Sequence, residues 1–82
     1  MKTKDVKSIV SQRIKALRIE RNLTQQEMSD LLGCTQVCYS HYEMGDRSIS
    51  IFTLIKIAKI HRVSTDYILG LTDDRNIFFW KM

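Results

Sequence analysis

Proline is absent from this chain of 82 residues, and glycine occurs only three times. So few breakers disfavour a turn-rich all-β fold and favour helices. No apolar run approaches the roughly 20 residues that cross a bilayer. The opening Met1-Lys2-Thr3-Lys4-Asp5 leads into no apolar stretch of signal-peptide type. Two cysteines without such a signal read as reduced thiols, so the expected compartment is the cytoplasm. Glycine-rich phosphate loops, a nucleophile elbow and an acid–base pair are all missing, and the chain is not read as an enzyme.

The length suits one domain, with no second unit expected to sense a ligand. Apolar residues make up 44% of it, enough for a small core and too many for a disordered tail. Lys and Arg number 13 against nine Asp and Glu, a net charge of +4. The placement is more informative than the total. Residues 1–21 hold seven basic and two acidic groups, hence +5, whereas residues 22–54 hold Arg47 against Glu27, Asp30, Glu43 and Asp46, hence −3. A polyanion would therefore be met by the N-terminal segment, Arg47 and backbone amides at helix starts rather than by a uniform basic coat.

Five short helices are expected, without repeats or low-complexity linkers. The first spans about 6–21, with Val10, Ile14 and Leu17 forming an apolar stripe. Thr24 and Glu27 have the spacing of a capping box for a second helix over 25–32, which Gly33 closes. Thr35 caps a third over 36–44, ending at Gly45. Ser50 caps a fourth over 51–61, with Ile51, Leu54, Ile55 and Ala58 on one side, and Ser64 caps a fifth over 65–70. Residues 1–72 form the domain, and residues 73–82 are a tail whose Ile77-Phe78-Phe79-Trp80 run is apolar.

Only Gly33 and Cys34 separate the second helix from the cap of the third. A turn so short makes the two helices cross steeply and share one small core, Met28 and Leu32 against Tyr39 and Tyr42, with Ser29 allowing close approach. The opposite face of the third helix then shows Gln36, Val37, Ser40 and His41, as a helix entering a DNA major groove must.

Leu23 through Gly33 resemble the opening of the Xre/Cro-type helix-turn-helix family, which includes the lambdoid phage repressors. Tyr42-Glu43-Met44-Gly45 is similar to that family's recognition-helix ending, and Leu54 through Ala58 to its fourth helix. The likeness spans about residues 8–71 and implies an all-α, lambda-repressor-like fold of five helices. It further implies that Gln25 bonds a phosphate and supports Gln36, and that Gln36 reads a base. Adenine suits a glutamine amide best. Val37 would touch a thymine methyl, Ser40 and His41 would address further bases or phosphates, and Arg47 would neutralise a phosphate. Arg18 and Glu43 match a family ion pair. Tyr39, Ile49 and His61 depart from the family's short aliphatic residue, proline and leucine.

Cys34, Cys38 and His41 fall at i, i+4 and i+7, a spacing that permits a metal. No fourth ligand follows, and free cysteine serves as a small hydrophobe; neither metal, cofactor nor redox role is expected. His61 is expected to be a satisfied, partly exposed histidine. The partner is double-stranded DNA, with no membrane or small-molecule ligand. Ile77, Phe78, Phe79 and Trp80 are expected to pack across a two-fold axis, helped by exposed groups of the fourth and fifth helices. A dimer would read two half-sites about 34 Å apart. The function implied is a repressor on a palindromic operator. The alternatives are an antitoxin-type interaction module and a restriction–modification controller protein on the same fold.

Overall fold

The computed structural model describes residues 3–76, with side chains from Val6 onward; Ile77, Phe78, Phe79 and Trp80 lie outside the described residues. Within them the chain forms α1 (Thr3–Glu20), α2 (Gln25–Leu32), α3 (Gln36–Met44), α4 (Ile51–His61) and α5 (Thr65–Leu69). The fold is all-α. Helix α1 begins three residues earlier than the sequence suggested, and the other boundaries agree within one residue.

Short polar side chains start these helices. Thr24 Oγ1 accepts from the Glu27 N–H at 3.0 Å while Glu27 Oε1 accepts from the Thr24 N–H at 2.8 Å, a complete capping box. Thr35, Ser50 and Ser64 cap α3, α4 and α5 through the amides of Cys38, Thr53 and Tyr67. Helix α4 ends without a glycine: Arg62 itself takes the left-handed conformation, at φ 57°. Gly70 has a stricter reason to lack a side chain, since a Cβ there would lie 2.5 Å from Ile9 Cγ2.

All five helices contribute to the core: Ile14 and Leu17, Met28 and Leu32, Tyr39, Ile57 and Ala58, Ile68, with Val63 from the α4–α5 connection. The buried face of α4 differs from the expected one. Ile51 is 71% exposed and Ile55 is also exposed, whereas Ile57, Ala58 and His61 are buried and Leu54 packs at the edge. The sequence Ile51-Phe52-Thr53-Leu54-Ile55 is apolar nearly all round, so periodicity alone does not choose the stripe.

His61 also departs from expectation. It is 8% exposed, and neither Nδ1 nor Nε2 has a hydrogen-bond partner. Burial first, then the nearby Arg21 charge, push its pKa down to about 4, against a small opposing effect of Glu20. Its ring is therefore neutral at pH 7.

Residues 72–76 lie back along the domain. Arg13 donates to the carbonyls of Tyr67 and Thr72 at 2.7 and 2.9 Å and to Asp73 Oδ1 at 2.9 Å. The Ser64 N–H donates to the Arg75 carbonyl at 3.0 Å, and the Arg75 guanidinium grips both carboxylate oxygens of Glu20. Both arginines stack on the Tyr67 ring, the Arg13 and Arg75 guanidinium carbons standing 4.3 and 5.0 Å from its centroid. Among the described residues no helix is long and apolar enough to cross a membrane.

Candidate nucleic-acid interface

The α2–α3 turn sets the geometry of the site. Gly33 takes φ 76°, and the Cys34 N–H returns to the Ser29 carbonyl at 3.0 Å, which closes α2 and redirects the chain. Ser29, fully buried, donates its hydroxyl to the Gln26 carbonyl at 2.7 Å and leaves room for α3 to approach. Tyr39 fixes the roll of α3. Its side chain is fully buried and meets Tyr42 edge-on, with ring centroids 6.4 Å apart.

With Tyr39 inward, the start of α3 faces outward. Gln36 and Val37 are exposed, Val37 to 67%, and Ser40 and His41 are half-buried beside them. The last two are less free than the sequence suggested. Ser40 donates its hydroxyl to the Val37 carbonyl at 2.8 Å, so its oxygen remains available chiefly as an acceptor. His41 Nδ1 stands 2.9 and 3.1 Å from the two Asp46 carboxylate oxygens, which leaves Nε2 as its remaining polar atom.

An ion pair holds this helix against α1. Arg18 Nε and Nη2 donate to Glu43 Oε2 and Oε1 at 2.6 and 3.0 Å, and Arg18 Nη1 donates to the Leu23 carbonyl at 2.8 Å. Only 12% of the Arg18 side chain and 3% of the Glu43 side chain are exposed. Burial opposes ionisation of Glu43, but Arg18, Tyr39 and Gln25 outweigh it and hold the carboxyl below its ordinary range. The Tyr39 hydroxyl is buried beside the pair without a hydrogen bond of good geometry, and its pKa is driven far up, first by burial and then by Glu43.

Gln25 joins the same cluster, a contact that sequence reasoning missed. Its Nε2 donates to Glu43 Oε1 at 3.2 Å. An amide nitrogen carries two protons. One ties Gln25 to Glu43, and the other remains for a ligand at the start of α2. Because Glu43 sits 18 positions away, nothing local in the sequence announces the bond.

The basic N-terminal segment is less available than its charge suggested. Arg13 is spent on residues 67–73, Arg18 on Glu43, and Arg21 Nη1 on the Ile60 carbonyl. Among its described cations, Lys7, Lys15 and Arg21 are exposed, the last with Nη1 engaged by the Ile60 carbonyl. Arg47, exposed after α3, stands beside Cys38 and Tyr42. With Tyr42, it lines a mainly apolar cavity of about 230 Å³ bounded by Val6, Val10, Ile49, Leu54 and Leu69. That is below the roughly 300–1,000 Å³ of typical small-molecule sites.

His41 and the two cysteines form no metal site: no cluster of three or more His, Cys, Asp or Glu with metal-holding geometry occurs among the described residues. Both thiols are free and half-buried.

Residues 14–68 match the family model described as Helix-turn-helix, HTH_3. The chain is 41% identical over 68 residues to the uncharacterized HTH-type transcriptional regulator YqaE of Bacillus subtilis (strain 168), covering 83% of this chain and 59% of that one. It is 38% identical over 53 residues to the cryptic phage CTXphi transcriptional repressor RstR of Vibrio cholerae, covering 65% and 48% respectively. The fold superposes on the crystal structure of an HTH_3 family transcriptional regulator from Vibrio cholerae with a TM-score of 0.72 and 28% identity, over 83% of this chain and 38% of that one. The chain thus spans about half the length of the curated relatives it matches.

Proposed function

The chain belongs to the HTH_3 helix-turn-helix family, and from that premise we propose that it is a sequence-specific DNA-binding repressor of transcription acting in the cytoplasm. The observation that carries this reading is the outward pair Gln36 and Val37 at the start of α3, backed by buried Tyr39. An amide and an aliphatic side chain so placed offer a bidentate pairing to adenine N6 and N7 and a contact to a thymine methyl. Ser40 adds an acceptor and His41 Nε2 a further polar atom. The free amide proton of Gln25 and the N-terminal amides of α2 suit a phosphate, and Arg47, Lys7 and Lys15 supply charge. The relative named a transcriptional repressor supports the direction of regulation.

The active form in this reading is a homodimer on a palindromic operator. One recognition helix reads only a few base pairs, and two-fold pairing doubles the site. Exposed Ile51, Phe52 and Ile55 on α4, and Leu71 after α5, are apolar groups that a second copy would cover. Ile77, Phe78, Phe79 and Trp80 are assigned to the same contact. Neither an antitoxin-type role nor a restriction–modification controller has a specific observation in its favour.

Selection of bound duplexes from random DNA tests the reading, coupled to measurement of the mass of the complex. The expected product is an inverted repeat bound by two chains, with affinity falling steeply as salt rises. Indifference to every duplex in dilute buffer refutes it.

A further inference from the structure

Cys34 and Cys38 flank the three residues Thr35, Gln36 and Val37, the stretch at which the reading helix begins. Both thiols are free and half-buried. Each backbone is anchored: the Cys34 N–H to the Ser29 carbonyl at 3.0 Å, the Cys38 N–H to Thr35 Oγ1 at 3.1 Å. The side chains lie against each other, and Cys38 also stands beside the Tyr42 hydroxyl and the Arg47 guanidinium. We propose that Cys34 and Cys38 are a modification site, a dithiol that a hydroperoxide oxidises to a disulfide closing the segment around Gln36 and Val37.

The two sulfurs are chemically unequal, as such a pair requires. Tyr42 first, then Arg47 and Cys34, hold the Cys38 thiol below its ordinary value despite partial burial. Cys38 lies in the first turn of α3, where the helix dipole also favours a thiolate. Burial, and then the neighbouring Cys38, push the Cys34 thiol up. Cys38 is the attacking thiolate and Cys34 the resolving thiol. The Cys38 sulfur attacks one peroxide oxygen; the O–O bond breaks, the departing hydroxide takes a proton to become water, and a sulfenic acid remains. The Cys34 sulfur then attacks the sulfenic sulfur and gives up its proton. The S–O bond breaks, a second water leaves, and the disulfide forms.

Closure has a mechanical consequence for the reading face. Cys34 lies in the α2–α3 turn, before the extended Thr35 cap, and Cys38 in the first turn of α3; a disulfide between them holds the two Cβ atoms about 3.5–4.5 Å apart. The bridge ties the α2–α3 turn to the first turn of α3 and constrains the backbone of Gln36 and Val37 between its two ends. The loss of DNA affinity that follows rests on the function proposed above, whereas the oxidation does not.

The test treats the reduced full chain with hydrogen peroxide and reads intact mass and free thiols. The expected product has the mass of a single chain less two hydrogens, has no thiol open to iodoacetamide and is restored by dithiothreitol. Cys34→Ser is expected to leave a Cys38 sulfenic acid that dimedone captures, and Cys38→Ser to stay unoxidised at the same dose. Persisting thiols, sulfinic acid at Cys38 with Cys34 free, or a bridge between two chains overturns the proposal. A duplex that binds the reduced chain is expected to bind the oxidised one at least about 10-fold more weakly, and equal binding overturns the regulatory consequence. If the reduced chain binds no duplex, the DNA reading fails while the mass result still decides the chemistry.

Discussion

His61→Leu isolates the energetic effect of one buried ring. The histidine is 8% exposed at the end of α4, with both nitrogens unpartnered and its pKa pushed down to about 4. In the unfolded chain the same group titrates near 6.5. Between these values the unfolded state binds the proton and the folded state does not. Stability from this residue is therefore full above pH 6.5, declines as the pH falls towards 4, and is flat below it. Linkage between the two values gives a loss of about 2 kcal/mol at pH 5 and up to about 3 kcal/mol once both states are protonated. Leucine has similar volume, does not titrate and leaves no buried nitrogen unsatisfied, a feature that itself costs about 1–3 kcal/mol. Urea unfolding followed by circular dichroism, parent and variant side by side from pH 7 to pH 4, reads both effects. The variant is expected to be the more stable at pH 7, and its advantage is expected to grow by about 2 kcal/mol at pH 5. An advantage that stays constant with pH, or a less stable variant at neutral pH, refutes the assignment of a neutral, unsatisfied ring.

Glu43→Ala strands the Arg18 guanidinium and releases Gln25, and is expected to cost about 3–5 kcal/mol in denaturant unfolding. Because Glu43 is held below its ordinary range, its stabilising effect persists to lower pH than for a free carboxyl and is lost as the pH falls through that depressed value. Gly70→Ala places a Cβ against Ile9 at a left-handed position and is expected to lower stability by about 1–3 kcal/mol, measured as a drop in Tm. Arg47→Ala is expected to weaken binding to all duplexes alike and to reduce the slope of log affinity against log salt by about 1, checked by anisotropy titrations at several salt concentrations.

The elements were legible because their boundaries are written in local chemistry. Thr24, Thr35, Ser50 and Ser64 stand at helix starts, and Gly33, Gly45 and Gly70 take positive φ at their ends. Arg62 escaped notice because an arginine carries no sign of a left-handed conformation. The buried face of α4 was illegible for the opposite reason: too many apolar residues at its start, and only tertiary packing distinguishes Ile57 from Ile51. At the candidate site, the outward position of Gln36 and Val37 followed from a short turn and an inward Tyr39. The bonds of Gln25 to Glu43, His41 to Asp46 and Arg13 to residues 67–73 required the folded chain. Composition had credited the N-terminal segment to a polyanion, whereas the fold engages its three arginines, Arg13, Arg18 and Arg21, internally.

A comparison of the sequence preferences of the parent and Gln36→Ala, by competition among operator variants, probes the central claim most directly. If α3 presents its first turn to base edges, the variant loses about 1–3 kcal/mol of discrimination at one base pair per half-site while nonspecific affinity is nearly unchanged. An unaltered preference at every position contradicts the account.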